Sequence, residues 1–221
     1  MKKIFLFLFT LILAISTASF SFAQSTTKNT PAAESTPSAM ALVWISPSAV
    51  SDITKSENIL AEGLRKGLEQ HHFSFKDQAD SQTLMQEYMI ENSLVPDDTE
   101  GSVGFLPKKA DMKAMAEQAG VKYVAFINAR ITDEKIKTAW LGLAPNKFEV
   151  TTLFTTIVYS LDANKYVYFK QISVKENAAG SSSSERAFEK SCATFIRKHI
   201  SDGKLVFKDN ESATPAAAAK K

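Results

Sequence analysis

Few residues in this chain could do chemistry, and their spacing argues against most of it. The one cysteine, Cys192, precedes His199 by seven positions. A thiol and an imidazole are the parts of a nucleophilic dyad. On a helix that spacing puts both on nearly one face but about 10 Å apart along the axis. Cys192 also shares its stripe with Phe188, Phe195 and Ile196, where a small buried thiol is a common occupant. Packing is its expected role. His71 and His72 are adjacent at a predicted helix end, so their side chains diverge and cannot easily share one ion. No His-x-Glu, His-x-x-x-His or paired-Cys spacing adds ligands, and imidazoles there suit the negative end of a helix. No metal or cofactor is expected.

The other signatures are incomplete. The serine run of residues 181–184 has no Gly-x-Ser-x-Gly elbow, and Ser182 with Glu185 has the spacing of a capping box. Gly101 and Gly104 precede a helix but match neither a Walker loop nor Gly-x-Gly-x-x-Gly. Asp97-Asp98 and Asp133-Glu134 are expected in loops as solvated charge. No acid, base and oxyanion donor converge, so no catalytic residue is assigned.

The elements that would carry these residues can be read from periodicity. Residues 41–45 (ALVWI) form a short buried strand stopped by Ser46-Pro47. Residues 54–71 form a helix, with Thr54 and Glu57 at capping-box spacing and Leu60, Leu64 and Leu68 on one face. Phe73 and Phe75 alternate with polar neighbours as a short strand. A second helix is capped by Asp80 or Ser81 and buries Leu84, Met85, Tyr88 and Met89. A turn-rich stretch follows, then a third helix over 109–119, with Met112, Met115, Ala116 and Ala119 on one side and Gly120 as its stop.

Residues 121–131 are apolar on both faces over their middle, as a central strand requires. Residues 148–161 and 165–174 are two long strands joined by Asp162-Ala163-Asn164, a connection short enough for an antiparallel hairpin. The last helix carries Phe188, Cys192, Phe195, Ile196 and His199 and closes at Gly203; residues 205–207 can extend a sheet edge. The order predicts an α+β fold, a mixed sheet with a long antiparallel hairpin and helices packed on it, and not a doubly wound nucleotide fold.

The first 23 residues read as a signal peptide. Lys2 and Lys3 precede an apolar run over 4–15, and Ser21-Phe22-Ala23 offers small residues for cleavage before Gln24. The rival is an uncleaved anchor, but the run is about a dozen residues where a span needs roughly 20. No Cys stands at the cleavage point. The chain has 26 basic and 24 acidic residues, and removing the leader's two lysines leaves 24 of each. A neutral chain without a basic block lacks the footprint that phosphate backbones demand, so nucleic acid is not an expected partner. A single Cys rules out an intramolecular disulfide, and roughly 170 residues suffice for a packed core. Residues 24–38 and 208–221 are poor in anything to bury and read as disordered tether and tail, flanking one domain over 39–207.

Two segments carry a resemblance. One is the helix-to-strand joint MKAMAEQAGVKYVAFINARI; the other is the hairpin FEVTTLFTTIVYSLDANKYVYFKQISV with its closing helix ERAFEKSCATFIRKHI. With the opening ALVWISP strand, this resembles the bacterial envelope module shared by the N-terminal domain of TolB, the penicillin-binding-protein activator LpoB and the periplasmic part of the curli exporter CsgG. It resembles most the small exported relatives of Gram-negative bacteria. The likeness is of order and pattern over about 160 residues, which speaks to fold more than to function. It implies a scaffold for contact with other envelope components. The chain departs from LpoB and CsgG in having no lipoprotein Cys, from CsgG in having no spare strand pair for a pore, and from TolB in having no propeller repeats.

The resulting expectation is an exported, non-enzymatic cell-envelope protein, periplasmic or else extracellular, acting as a protein–protein interaction or assembly module. Its envelope protein partner is not named by the sequence, nor is its oligomeric state, and no transmembrane segment is expected after cleavage. A hydrolase or small-ligand-binding enzyme with no recognisable motif is one competing class; a subunit of an oligomeric envelope exporter is another. The place for a contact is the loop expected over residues 132–147, where Trp140, Leu141 and Leu143 stand in a run broken by Gly142 and Pro145. Loops lie at the surface and Trp anchors interfaces. The alternative is that Trp140 and Leu143 fold back to cover the sheet.

Overall fold

A computed structural model of the 221-residue chain describes residues 38–46, 53–69, 71–94, 105–137, 147–179, 183–201 and 204–207. The expected leader, most of the tether, the tail, Gly101, Gly104, Asp97, Asp98 and Ser182 lie outside them. The strand β1 (Ser38–Ile45) leads into α1 (Thr54–Glu69), the short β2 (Ser74–Phe75), α2 (Gln78–Glu91) and α3 (Lys109–Ala119). Then come β3 (Tyr123–Lys137), β4 (Lys147–Ser160), β5 (Lys165–Ala179) and α4 (Ser183–Phe195), which ends in one π-helical turn, Ile196–Ile200. The sheet order is β2-β1-β3-β4-β5. β1 is parallel to β2 and β3, and β3, β4 and β5 are antiparallel. The fold is α+β, as its pattern predicts.

Helices cover both faces of the sheet's middle. On one face Leu60, Leu64 and Leu68 of α1 and Phe188, Cys192 and Phe195 of α4 meet Val43, Ile127, Phe154 and Val158. On the other, Met85 and Met89 of α2 and Met112, Met115 and Ala116 of α3 meet Met40, Leu42, Phe126 and Tyr159. Strands covered on both sides must be apolar at every position, which is why β1 and the first half of β3 show no alternation.

Local chemistry sets the helix ends. Asp77 caps α2, its Oδ1 accepting the N–H of Ala79 at 2.8 Å; the cap is therefore three or four residues before the Asp80 or Ser81 expected. The Glu57 N–H goes to the Ile53 carbonyl, so Thr54 is the first helical residue of α1 rather than its cap. Gly120 stops α3 at φ 67°, in the left-handed region where a Cβ is costly. Asn164, at φ 48°, closes the β4–β5 turn and receives the Tyr159 hydroxyl at 3.0 Å. Residues 205–207 do not extend the sheet: Leu205 and Phe207 are buried in the α1/α4 core instead.

Two contacts hold the layers in register. β2 is only two residues long, so it leaves most of that edge of β1 without a strand. There the Gln82 side chain takes a strand's place: its Nε2 donates to the Val43 carbonyl at 2.7 Å, and its Oε1 accepts the Val43 N–H at 3.4 Å. α1 meets the end of α4 through two glycines one turn apart. A Cβ on Gly63 would lie 2.5 Å from the Ile196 side chain; one on Gly67 would lie 2.6 Å from Ile200 Cγ2 and 3.0 Å from the Ile200 carbonyl oxygen. Gly67→Ala is expected to destabilise the fold. Alanine's helix propensity gains about 1 kcal/mol, whereas overpacking against an immobile carbonyl costs about 1–3 kcal/mol. Thermal unfolding should show a melting point a few degrees lower, and Gln82→Leu, which orphans both Val43 groups, should cost about 1–3 kcal/mol by the same measurement.

Candidate functional site

Past the helix-covered middle, β3, β4 and β5 run on as a three-stranded ribbon. The pairs Ile131↔Thr152, Glu134↔Val150 and Lys137↔Lys147 continue β3 against β4. β5 follows with Val174↔Thr152 through Ala179↔Lys147. Residues 132–137 are therefore strand, not the start of the expected loop, and Asp133-Glu134 is paired backbone rather than a solvated turn. The reason is long-range: this polar stretch has only Ile136 to mark a strand, and pairing with β4 decides its state. Trp140, Leu141 and Leu143 lie outside the described residues, between the paired ends Lys137 and Lys147.

The ribbon's two faces differ. One leans on the start of α4, where Val150 and Ala178 pack with Ala187 and Ile131 and Thr152 Oγ1 lies 2.8 Å from Ser191 Oγ. Ile136, 58% exposed, extends this face beside its partner Phe148. The other face is charged and spans all three strands. Glu149 of β4 receives Lys137 of β3 on Oε2 at 2.7 Å and Lys175 of β5 on Oε1 at 2.6 Å. Lys135 reaches Asp133 at 2.6 Å on the same face. Farther along it, Phe169 is 56% exposed and Gln171 donates to Thr155 at 3.1 Å.

With an ammonium on each oxygen, the Glu149 carboxyl is held at a pKa of about 2, the hydrogen bonds from Lys137 and then Lys175 outweighing the opposing effect of burial. A group so saturated is an anchor for the ribbon and not a proton acceptor at neutral pH. Sequence reasoning missed this triad. Its only local trace is charge at every second position, Asp133, Lys135 and Lys137; that Glu149 and Lys175 flank them depends on register.

The residues singled out for chemistry are placed structurally. Cys192 is fully buried, and burial pushes its thiol up to about 12, against weaker opposing effects from Ser56 and Ser191. His199 lies beside the Phe195 ring at 5.9 Å, its pKa lowered by burial and then by Lys170, Lys198 and Lys204. His71 does not serve its own helix end: its Nε2 is 2.8 Å from the Leu205 carbonyl and its ring lies 4.3 Å from that of Phe207, tilted by 31°. Among the described residues no group of three His, Cys, Asp or Glu could hold a metal, and no helix is long and apolar enough to cross a membrane.

No family model matches the chain, and no curated protein matches its sequence. Solved structures are similar at a distance. The LpoB C-terminal domain from Salmonella enterica is 12% identical with a TM-score of 0.33, over 63% of this chain and 82% of that one. Lipoprotein GNA1162 from Neisseria meningitidis is 14% identical with a TM-score of 0.36, over 66% and 86%. The hypothetical protein CT253 from Chlamydia trachomatis is 12% identical with a TM-score of 0.38, over 72% and 95%. LpoB, to which the sequence bears a resemblance, is thus among the neighbours. Likeness at this level carries no argument about function.

Two outcomes test the site's chemistry. Because the folded pKa of Glu149 lies below its ordinary value of 4.5, its stabilisation is complete above that pH and disappears as pH falls toward about 2. Glu149→Gln should melt below wild type at pH 7, and the gap should close between pH 4.5 and 2; a constant gap would show that packing, not charge, is lost. Cys192→Ala should cost about 1 kcal/mol, and the native thiol should resist a bulky reagent until the chain unfolds.

Proposed function

We propose that the protein is exported by cleavage before Gln24 and works in the cell envelope, in the periplasm, as a non-enzymatic protein–protein interaction or assembly module. Its contact site is the segment at the end of the ribbon, with Trp140, Leu141 and Leu143 as the side chains that meet an envelope protein. The observation that carries this reading is the ribbon itself. Three strands extend past the layer of α2 and α3, with α4 along their other face, and the AWLGLAP stretch connects their paired ends Lys137 and Lys147 in sequence. A rigid sheet extension is an efficient carrier for a contact segment, because the cost of ordering its base has already been met in folding. The Glu149 triad stiffens that base across all three strands.

Photo-crosslinkers placed beside position 140, in cells expressing the full chain, test the reading. A discrete adduct with an envelope protein is expected, and Trp140→Ala with Leu143→Ala should weaken it at least tenfold while the melting point stays within about 1 °C. A melting point lowered by several degrees with undiminished crosslinking would make the segment a cover for the sheet. Turnover of a substrate that is abolished by one polar substitution would replace the binding role with an enzymatic one.

A further inference from the structure

β5 leaves one long side without a strand among the described residues, since it ends the sheet order. Which residues point out of that edge follows from the ladder. The Ser46 N–H donates to the Ala129 carbonyl at 3.0 Å, so Ala129 faces β1 and its neighbour Arg130 faces β4. Through the pairs Arg130↔Leu153 and Phe154↔Ile172, alternation turns Ile172 toward β4 and Ser173 outward. α4 gives an independent check. Lys190 Nζ donates to the Asn177 carbonyl at 3.1 Å and Arg186 Nη1 to the Ala179 carbonyl at 3.3 Å, so these odd-numbered positions also face away from β4. The two side chains close the end of the edge and leave the outward groups of Phe169, Gln171, Ser173 and Lys175 for another strand.

The sequence over this open stretch, KQISVKE from Lys170 to Glu176, is complementary to itself when reversed about Ser173. Antiparallel pairing on that centre sets Lys170 opposite Glu176, Gln171 opposite Lys175 and Ile172 opposite Val174, each twice, with the small Ser173 against its own copy. Centring on Ile172 or Val174 places no acid opposite a lysine, and centring on Lys175 places lysine on lysine. Lysines on an edge ordinarily discourage pairing; here they favour the one nearby register that sets an acid opposite a lysine. Glu176 is the only acid in β5, and the Thr194 hydroxyl fixes it at 2.8 Å in a depression shared with Lys190 and Arg197.

We propose that two copies of this chain associate through β5, two-fold and antiparallel about Ser173, joining their sheets into one. A two-fold contact of this kind closes on itself. It occupies the β5 edge, which is long and open among the described residues, whereas the opposite edge carries the two-residue β2 and the Gln82 side chain. The pairing provides on the order of six backbone hydrogen bonds over the open stretch. It is independent of the contact segment at residues 138–146.

Sedimentation of the purified full-length protein across a concentration series tests it. Wild type should self-associate to a dimer. Lys170→Glu and Glu176→Lys should each weaken the dimer at least tenfold, and the double exchange should restore it, because only this register sets the two positions opposite each other. Ser173→Pro removes an N–H that points away from β4, so it should give a monomer with an unchanged melting point. A wild type that remains monomeric to about 0.5 mM overturns the proposal. So does a double exchange no better than the single ones, or a Ser173→Pro protein that dimerises like wild type.

Discussion

The parallel pairing of β1 with β3 is the constraint on which everything else rests. Seven consecutive pairs, Ala39↔Tyr123 to Ile45↔Ala129, lie where both sheet faces are covered. A polar group in either strand therefore costs free energy unless it finds a partner, a cost that the buried Trp44 Nε1 bears among the described residues. Asn128, the polar residue inside this stretch of β3, donates to the Phe105 carbonyl at 2.8 Å and so ties down the chain that leads into α3. The parallel direction also demands long crossovers, and α1 through α3 supply them. Once both strands are sealed, the antiparallel strands need only add along one side.

Addition along one side accounts for the molecule's asymmetry. Near β1 the sheet is a middle layer, held by close helix contact, with Gly63 and Gly67 letting α1 approach the π-helical turn after α4. Toward the ribbon tip one helix layer is absent among the described residues, and apolar packing gives way to charge. Glu149 is nearly as inaccessible as a core residue, its side chain 9% exposed, yet two largely exposed lysines are what cover it. Their aliphatic stems shield the carboxylate while their ammonium groups remain in water.

How legible each part was depends on the range of the interaction that decides it. The Leu60, Leu64, Leu68 stripe, the Met112, Met115, Ala116 face and the Gly120 stop are local signals, and the structure has them where periodicity puts them. Asp77 does not stand out as a cap in the sequence because no large apolar residue follows it before Leu84. Residues 132–137 carry no strand pattern of their own, because their state is decided by pairing with β4, many positions away. Gly63 and Gly67 look like weak points of a helix in sequence; only the approach of Ile196 and Ile200 explains them. For the proposed contact segment, sequence offers residue types and the structure offers the strands that flank it in the chain.

The irregularity in β3 between Ile131 and Asp133 inverts the phase of everything beyond it. Up to Ile131, odd-numbered side chains face α1 and α4. After the extra residue, Thr132, the odd-numbered Asp133, Lys135 and Lys137 face the opposite way and even-numbered Ile136 takes the helix side. A strand in continuous phase would turn Lys137 away from Glu149 and place Ile136 among charges. One inserted residue thus lets a single strand obey two alternation rules, one for a core and one for a projecting arm. It also makes the arm's pattern separable from the core's: a one-residue change in length at position 132 would swap the arm's faces and leave β1 and the first half of β3 as they are.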